Sequence, residues 1–213
     1  MRPKLVLVAS ALGFALLVAL VSAGVFTRAD RYAVLHLMPW LEPSSSSQLI
    51  RPRTALLPDT RSTLGGTLVA LWTYPASPLI SGLLVAVCAY VLERRGRRHL
   101  AVAVIALWVG ANAVELIAKA AIARPSVGVS AYRHSFPSGH TVRACIVAAV
   151  VAWTWRRAGR AAAAWALTIP FALVALGDHT PTDVVGGLLL SAFLIAAAQA
   201  ALPALNRRSD SKE

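Results

Sequence analysis

Six apolar blocks, every second one closed by a short run of arginines, leave this chain few ways to fold; they cover residues 5–26, 76–92, 100–122, 141–155, 161–176 and 184–202. A helix of about 20 residues matches the ~30 Å hydrocarbon core of a bilayer. Inside that core every backbone polar group must find a partner within the protein, which for single segments of this length means an α-helix. The blocks therefore predict an all-α fold, a six-span transmembrane helical bundle. Composition agrees, with 57% hydrophobic and only 14% charged residues. The first block, at 22 residues, is longer than the ~7–15 of a signal-peptide core, so a retained span is expected.

The distribution of charge sets an orientation. A net charge of +12 on one soluble face would suggest nucleic acid. Here the arginines gather between the apolar blocks, as Arg94-Arg95-Gly96-Arg97-Arg98, Arg156-Arg157-Ala158-Gly159-Arg160 and Arg207-Arg208. Together with Arg2 and Lys4 they make every second connection basic. That alternation is the positive-inside pattern of an even-span protein with both termini cytoplasmic. Such clusters also suit anionic lipid head groups as partners, and no nucleic acid is expected. Segments 27–64, 123–140 and 177–183 then lie on the outer side. Cys88 and Cys145 fall inside apolar blocks, where a thiol is usually a small packing residue.

The organisation read from these blocks is a first span (1–27), an extracytoplasmic connector with an interfacial segment (28–75), a core of five spans (76–203) and a cytoplasmic tail (204–213). The connector carries the run Ser44-Ser45-Ser46-Ser47, with short helix expected near residues 33–38. Residues 64–72 are apolar but short, and Pro75 and Pro78 break the chain just beyond them. They read as an interfacial or re-entrant piece.

Three clusters converge on the predicted outer face: Lys119 to Pro125, Phe136 to His140, and His179 to Asp183. Cleaving a phosphate ester needs a nucleophile, an acid for the leaving oxygen, and positive or N–H groups around the equatorial oxygens. His179 and Asp183 are four apart, so on a helical turn the carboxylate can hold one imidazole nitrogen while the other attacks phosphorus. His140 opens an apolar block, where free backbone N–H groups attract phosphate, and Ser138 and Gly139 allow close approach. Lys119 and Arg124 supply positive charge. Asn112, Glu115 and Lys119 share one helix face, with Glu115 placed to pair with Lys119. Each residue also has an ordinary reading: Thr180, Pro181 and Asp183 make a good helix start, and the histidines, Lys119 and Arg124 fit an interface with head groups. Asp178 fits either a neighbour of the His179 imidazole or a solvated acid. His134, Tyr132 and Arg133 need no role beyond an interfacial loop. No Cys/His ligand spacing is present, so no metal site is expected.

Lys119-x4-Arg124-Pro125, Pro137-Ser138-Gly139-His140 and His179-x3-Asp183 resemble, in order and spacing, the three-part signature of the type-2 phosphatidate phosphatase and vanadium haloperoxidase superfamily. The resemblance covers roughly residues 78–202 and includes Gly186-Gly187. It implies a lipid-phosphate phosphatase working without metal or cofactor, with His140 protonating the leaving group. Two departures stand out. The first motif has four residues between Lys and Arg where many members have six, with Ser126-Val127 at a second Arg-Pro. In the third motif, Ala172 and Leu173 occupy the usual Ser-Arg positions. Arg143, one turn after His140, is expected to reach the phosphate instead. The implied activity is hydrolysis of a lipid phosphomonoester or polyprenyl pyrophosphate through a phosphohistidine, on the outer face of a cell membrane. An isoprenoid pyrophosphate leads, with phosphatidate and phosphatidylglycerol phosphate next. The alternative is an inactive family member that binds lipid or serves as a scaffold.

Overall fold

The computed structural model describes residues 3–37, 63–122, 124 and 135–210, with the side chains of 3 and 203–210 left aside. The described residues are almost wholly helical: α1 (Pro3–Ser22), α2 (Thr27–Leu37), α3 (Leu64–Thr73), a 3-10 turn (Tyr74–Ala76), α4 (Pro78–Arg94), α5 (Arg98–Ala121), α6 (Gly139–Thr154), α7 (Arg156–Ala175) and α8 (Pro181–Asp210). The serine run at 44–47 and the loop residues Tyr132, Arg133 and His134 lie outside the described residues.

Lipid is the solvent this surface fits. Leu116 and Ile117 on α5 are 63% and 66% exposed, and Leu167 and Phe171 on α7 are 63% and 78% exposed. Large apolar side chains in such numbers on the outside would aggregate in water but lie naturally against acyl chains. By length and composition α1, α5, α7 and α8 can each cross a membrane, and the pair α3 plus α4, bent by 46°, makes a fifth span if taken as one. The expected count of six is therefore higher than length alone supports. The difference is α6, whose 16 residues rise only about 24 Å.

α6 lies among the other helices of the bundle. It packs against α4, α5, α7 and α8, and its Val142, Ala144, Ile146, Val147, Ala148 and Val150 are all buried. Small and β-branched side chains let four neighbours approach it closely. At its far end the Arg95 guanidinium donates to the Thr154 carbonyl at 2.7 Å, so an arginine of the basic connection also caps the last turn.

Two glycines turn the chain towards the site. Gly24, at φ 74°, ends α1 four residues earlier than the apolar run does and starts the reversal into α2. Gly177, at φ 68°, ends α7, and the N–H groups of Asp178 and His179 return to the Leu173 carbonyl at 2.9 and 3.3 Å. Left-handed φ is the ordinary ending of a helix at glycine. As a result α2, the end of α5 and the starts of α6 and α8 gather at one end of the bundle.

Candidate active site

The first turn of α8 is built as a reciprocal cap. Asp183 Oδ2 accepts the Thr180 N–H at 3.0 Å, while Thr180 Oγ1 accepts the Asp183 N–H at 3.4 Å. The same Oδ2 lies 3.4 Å from His179 Nδ1. Capping and imidazole contact, which the sequence offers as alternatives, are therefore two tasks of one carboxylate. Asp183 is fully buried and His179 is 7% exposed.

Arg124 closes the other side of Asp183. Its Nη1 pairs with Asp183 Oδ1, and its Nη2 donates to Asp30 Oδ2 at 2.7 Å and to Thr180 Oγ1 at 2.9 Å. Asp30, on α2, also accepts from the Thr182 N–H at 3.2 Å and the Thr182 hydroxyl at 2.6 Å. Burial pushes the Asp30 carboxyl above its ordinary range, while the bonds from Thr182 and the charge of Arg124 pull the other way. The sequence reading missed Asp30. An acid between Arg28 and Arg31 looks like part of a solvated helix face, and only its 2% exposure distinguishes it. A small cleft lined by Val21, Phe26, Thr27, Asp30 and Arg124 borders this pair.

A second ionic cluster lies between α5 and α6. Glu115, 3% exposed, pairs with Lys119 Nζ at 2.5 Å and lies 3.5 Å from Arg143 Nη1. Arg143 Nη1 also donates to Asn112 Oδ1 at 3.2 Å, and its Nε to the Ala76 carbonyl at 2.8 Å, where α3 bends into α4. Each charge is thereby given a partner, as burial demands.

The start of α6 joins the two clusters. The Ser138 N–H donates to the Asp183 carbonyl at 2.9 Å, and Ser138 Oγ caps α6 by accepting from the Thr141 N–H and hydroxyl at 3.4 and 3.1 Å. A Cβ on Gly139 would lie 2.6 Å from Glu115 Oε1, one on Gly187 2.8 Å from the Ser138 carbonyl, and one on Gly186 2.5 Å from the Phe136 ring. These glycines let α5 and α8 close on the α6 N-terminus. His140 is the second residue of α6 and half-buried.

Of the residues singled out from sequence, His179, Asp183 and Arg124 form one connected group, and Lys119, Glu115 and Arg143 form another. Ser138 and Gly139 lie between them. The Arg143 side chain is directed to Glu115, Asn112 and the Ala76 carbonyl, and Arg124 is held between two aspartates. Leu173 is 1% exposed and belongs to the apolar core with Ile169 and Val184, away from solvent. Pro125, Ser126 and Val127 lie outside the described residues.

No curated protein and no solved structure matches this chain. A family model does, that of the PAP2 superfamily, and it spans residues 8–207. The match takes in nearly every helix and both ionic clusters, so the chain belongs to the PAP2 superfamily and is a phosphatase-type hydrolase associated with a membrane.

Proposed function

We propose that the chain is a six-span lipid-phosphate phosphatase of a cell membrane, with both termini cytoplasmic and its site on the outer face. The observation that carries the chemistry is the 3.4 Å approach of Asp183 Oδ2 to His179 Nδ1, on a carboxylate that Thr180 and Arg124 hold from two further sides. With Nδ1–H donated to Asp183, the lone pair of Nε2 is left for attack on phosphorus. The Nε2–P bond forms as the P–O bond to the lipid breaks, and His140 gives its proton to the departing oxygen. Water then attacks the phosphohistidine, giving a proton back to His140, and phosphate leaves as Nε2 recovers its electron pair. Lys119, Arg124 and Arg143, with the N–H group of Gly139, supply the charge that phosphate oxygens need, and Ser138 lets the chain approach closely; Glu115 holds two of the cations in place. No step calls on a metal or cofactor.

The alternation of basic connections supports the orientation. α6 serves as the sixth span because its neighbours surround it, so the shortfall in length need not meet lipid. A head group enters this site from the outer leaflet while its chains stay in the bilayer. Polyprenyl pyrophosphate is the leading substrate, ahead of phosphatidate and phosphatidylglycerol phosphate, all of which share a phosphoryl group on a lipid.

A second reading, an inactive member that binds lipid or acts as a scaffold, is favoured by Leu173, an apolar core residue at the position of a phosphate-binding arginine in the family. One experiment separates the two. Purified protein in detergent, with chelator, is given a panel of lipid phosphates and pyrophosphates beside His179→Ala. Metal-independent phosphate release that is lost in the variant is expected, together with a base-stable, acid-labile phosphoenzyme. Release that persists in the variant sinks the phosphohistidine, and no release from any lipid supports the second reading.

A further inference from the structure

Asp30 is a carboxylate from the connector buried at the end of the bundle where the family's motifs meet. It is 2% exposed and 94 positions from the Arg124 it contacts. Resting on the phosphatase reading, we infer that Asp30 is a positioning residue of the active site, acting through Arg124 and Asp183 on His179. The connector helix α2 thereby becomes part of the catalytic apparatus.

Arg124 follows the end of α5, beyond the last helical residue Ala121. No helical backbone fixes where its guanidinium points, so its hydrogen bonds must do so. One edge of the fork meets Asp183 Oδ1, and the other meets Asp30 and Thr180. A planar fork gripped at both ends cannot rotate, which is the use of Arg where direction matters. The result is a chain of alternating charge, Asp30 to Arg124 to Asp183 to His179.

Loss of the Asp30 charge releases one end of this chain. Arg124, held on that side by the Thr180 hydroxyl alone, can then turn towards Asp183, and the carboxylate follows the new pull. The contact most sensitive to that movement is His179 Nδ1 to Asp183 Oδ2, which at 3.4 Å is already near the limit of a hydrogen bond. A misdirected imidazole still permits substrate binding but attacks phosphorus poorly, so kcat falls while KM holds.

Asp30 also docks α2 onto α8 through the N–H and hydroxyl of Thr182. Docking alone is separable from positioning. Thr182→Val removes the hydroxyl from which Asp30 Oδ2 accepts, together with its 3.3 Å contact to Thr180 Oγ1, but leaves both the Asp30–Arg124 pair and the Thr182 N–H bond. Among the described residues, the other charged or titratable groups at this end include Arg28 and Arg31 on α2, Lys119 and Glu115 on α5, His140 and Arg143 on α6, and Asp178 before α8. None of them is altered by either change.

The test uses the full chain in detergent as wild type, Asp30→Asn and Thr182→Val. Thermal unfolding gives the folded fraction, and metal-independent phosphate release gives kcat and KM per folded molecule. Asp30→Asn keeps the shape and one acceptor oxygen, and it is expected to lower kcat about tenfold to a hundredfold with KM within about threefold. Thr182→Val is expected to lower the unfolding temperature yet keep kcat within about twofold. Unchanged kcat per folded molecule in Asp30→Asn, or an equal loss in Thr182→Val, overturns the inference while leaving the phosphatase reading intact. A wild type that releases no phosphate overturns that reading and the inference with it.

Discussion

Replacing Gly187 by alanine tests whether the site depends on the close approach of α8 to the start of α6. The added Cβ would lie 2.8 Å from the Ser138 carbonyl oxygen and 2.9 Å from Thr141 Cβ. Restoring an ordinary contact of about 3.4 Å requires a displacement of roughly 0.6 Å. Ser138 O is backbone and Thr141 is fully buried, so rotation of a side chain cannot absorb it, and the helices must separate. Taken along the Ser138 N–H to Asp183 carbonyl bond, now 2.9 Å, the shift stretches it to the edge of hydrogen bonding. Overpacking of this kind costs about 1–3 kcal/mol. The displacement also moves His140 relative to His179, and with about 100-fold at stake for 1 Å, roughly a tenfold loss of kcat is expected. The assay is thermal unfolding in detergent alongside phosphate release, with Gly110→Ala as control because nothing lies within 4 Å of a Cβ there. If Gly187→Ala matched the control in both measurements, the tight α6–α8 junction would have no bearing on catalysis.

Two further outcomes rest on the buried charges. Glu115→Gln leaves Arg143, whose side chain is 8% exposed, without its carboxylate. Losing one partner of a buried pair costs about 3–5 kcal/mol, and an unfolding free energy in mixed micelles within about 0.5 kcal/mol of wild type would refute the assignment. Burial raises the Asp30 carboxyl above 3.8, so the folded state holds its proton more tightly than the unfolded chain does. Stability from that proton is fully present below the unfolded value and is lost as pH rises through the folded one. The unfolding temperature of wild type relative to Asp30→Asn should therefore fall as pH rises from about 4; a rise would reverse the sign of the argument.

The helices were legible in the sequence because a bilayer imposes one period and one length on every block. Chain reversals were less so. The first apolar run continues to Phe26, yet α1 stops at Ser22 because Gly24 takes a left-handed φ that apolarity does not record. Apolarity alone makes α6 a span like the others, whereas its buried sides show that it meets protein on most faces. In the site, spacing revealed pairs on one helical turn, such as His179 with Asp183 and Glu115 with Lys119. It could not reveal Asp30, whose partners are 94 and 152 positions away. Nor could it show that Gly139 serves the approach of Glu115, since a glycine beside a phosphate and one beside a carboxylate look alike in a string of letters.

The described ionic groups of the two clusters are Lys119, Arg124 and Arg143 against Asp30, Glu115 and Asp183, so with neutral imidazoles their charges cancel. With each of these cations paired, binding of a phosphate dianion must, on the proposed mechanism, exchange an internal pair for a pair with substrate. Arg124 is held by two carboxylates and a hydroxyl with its side chain 3% exposed, and Arg143 is fixed at Nε by a backbone carbonyl with its side chain 8% exposed. Breaking either would strand buried charge, at several kcal/mol. Lys119 has one carboxylate partner and a side chain 27% exposed, and its flexible stem lets the ammonium move without uncovering the core. Glu115, on losing Lys119, still has Arg143. The Lys119–Glu115 pair is therefore the one of the three that opens at least cost, and on the proposed mechanism Lys119 is the first group to reach an arriving phosphate.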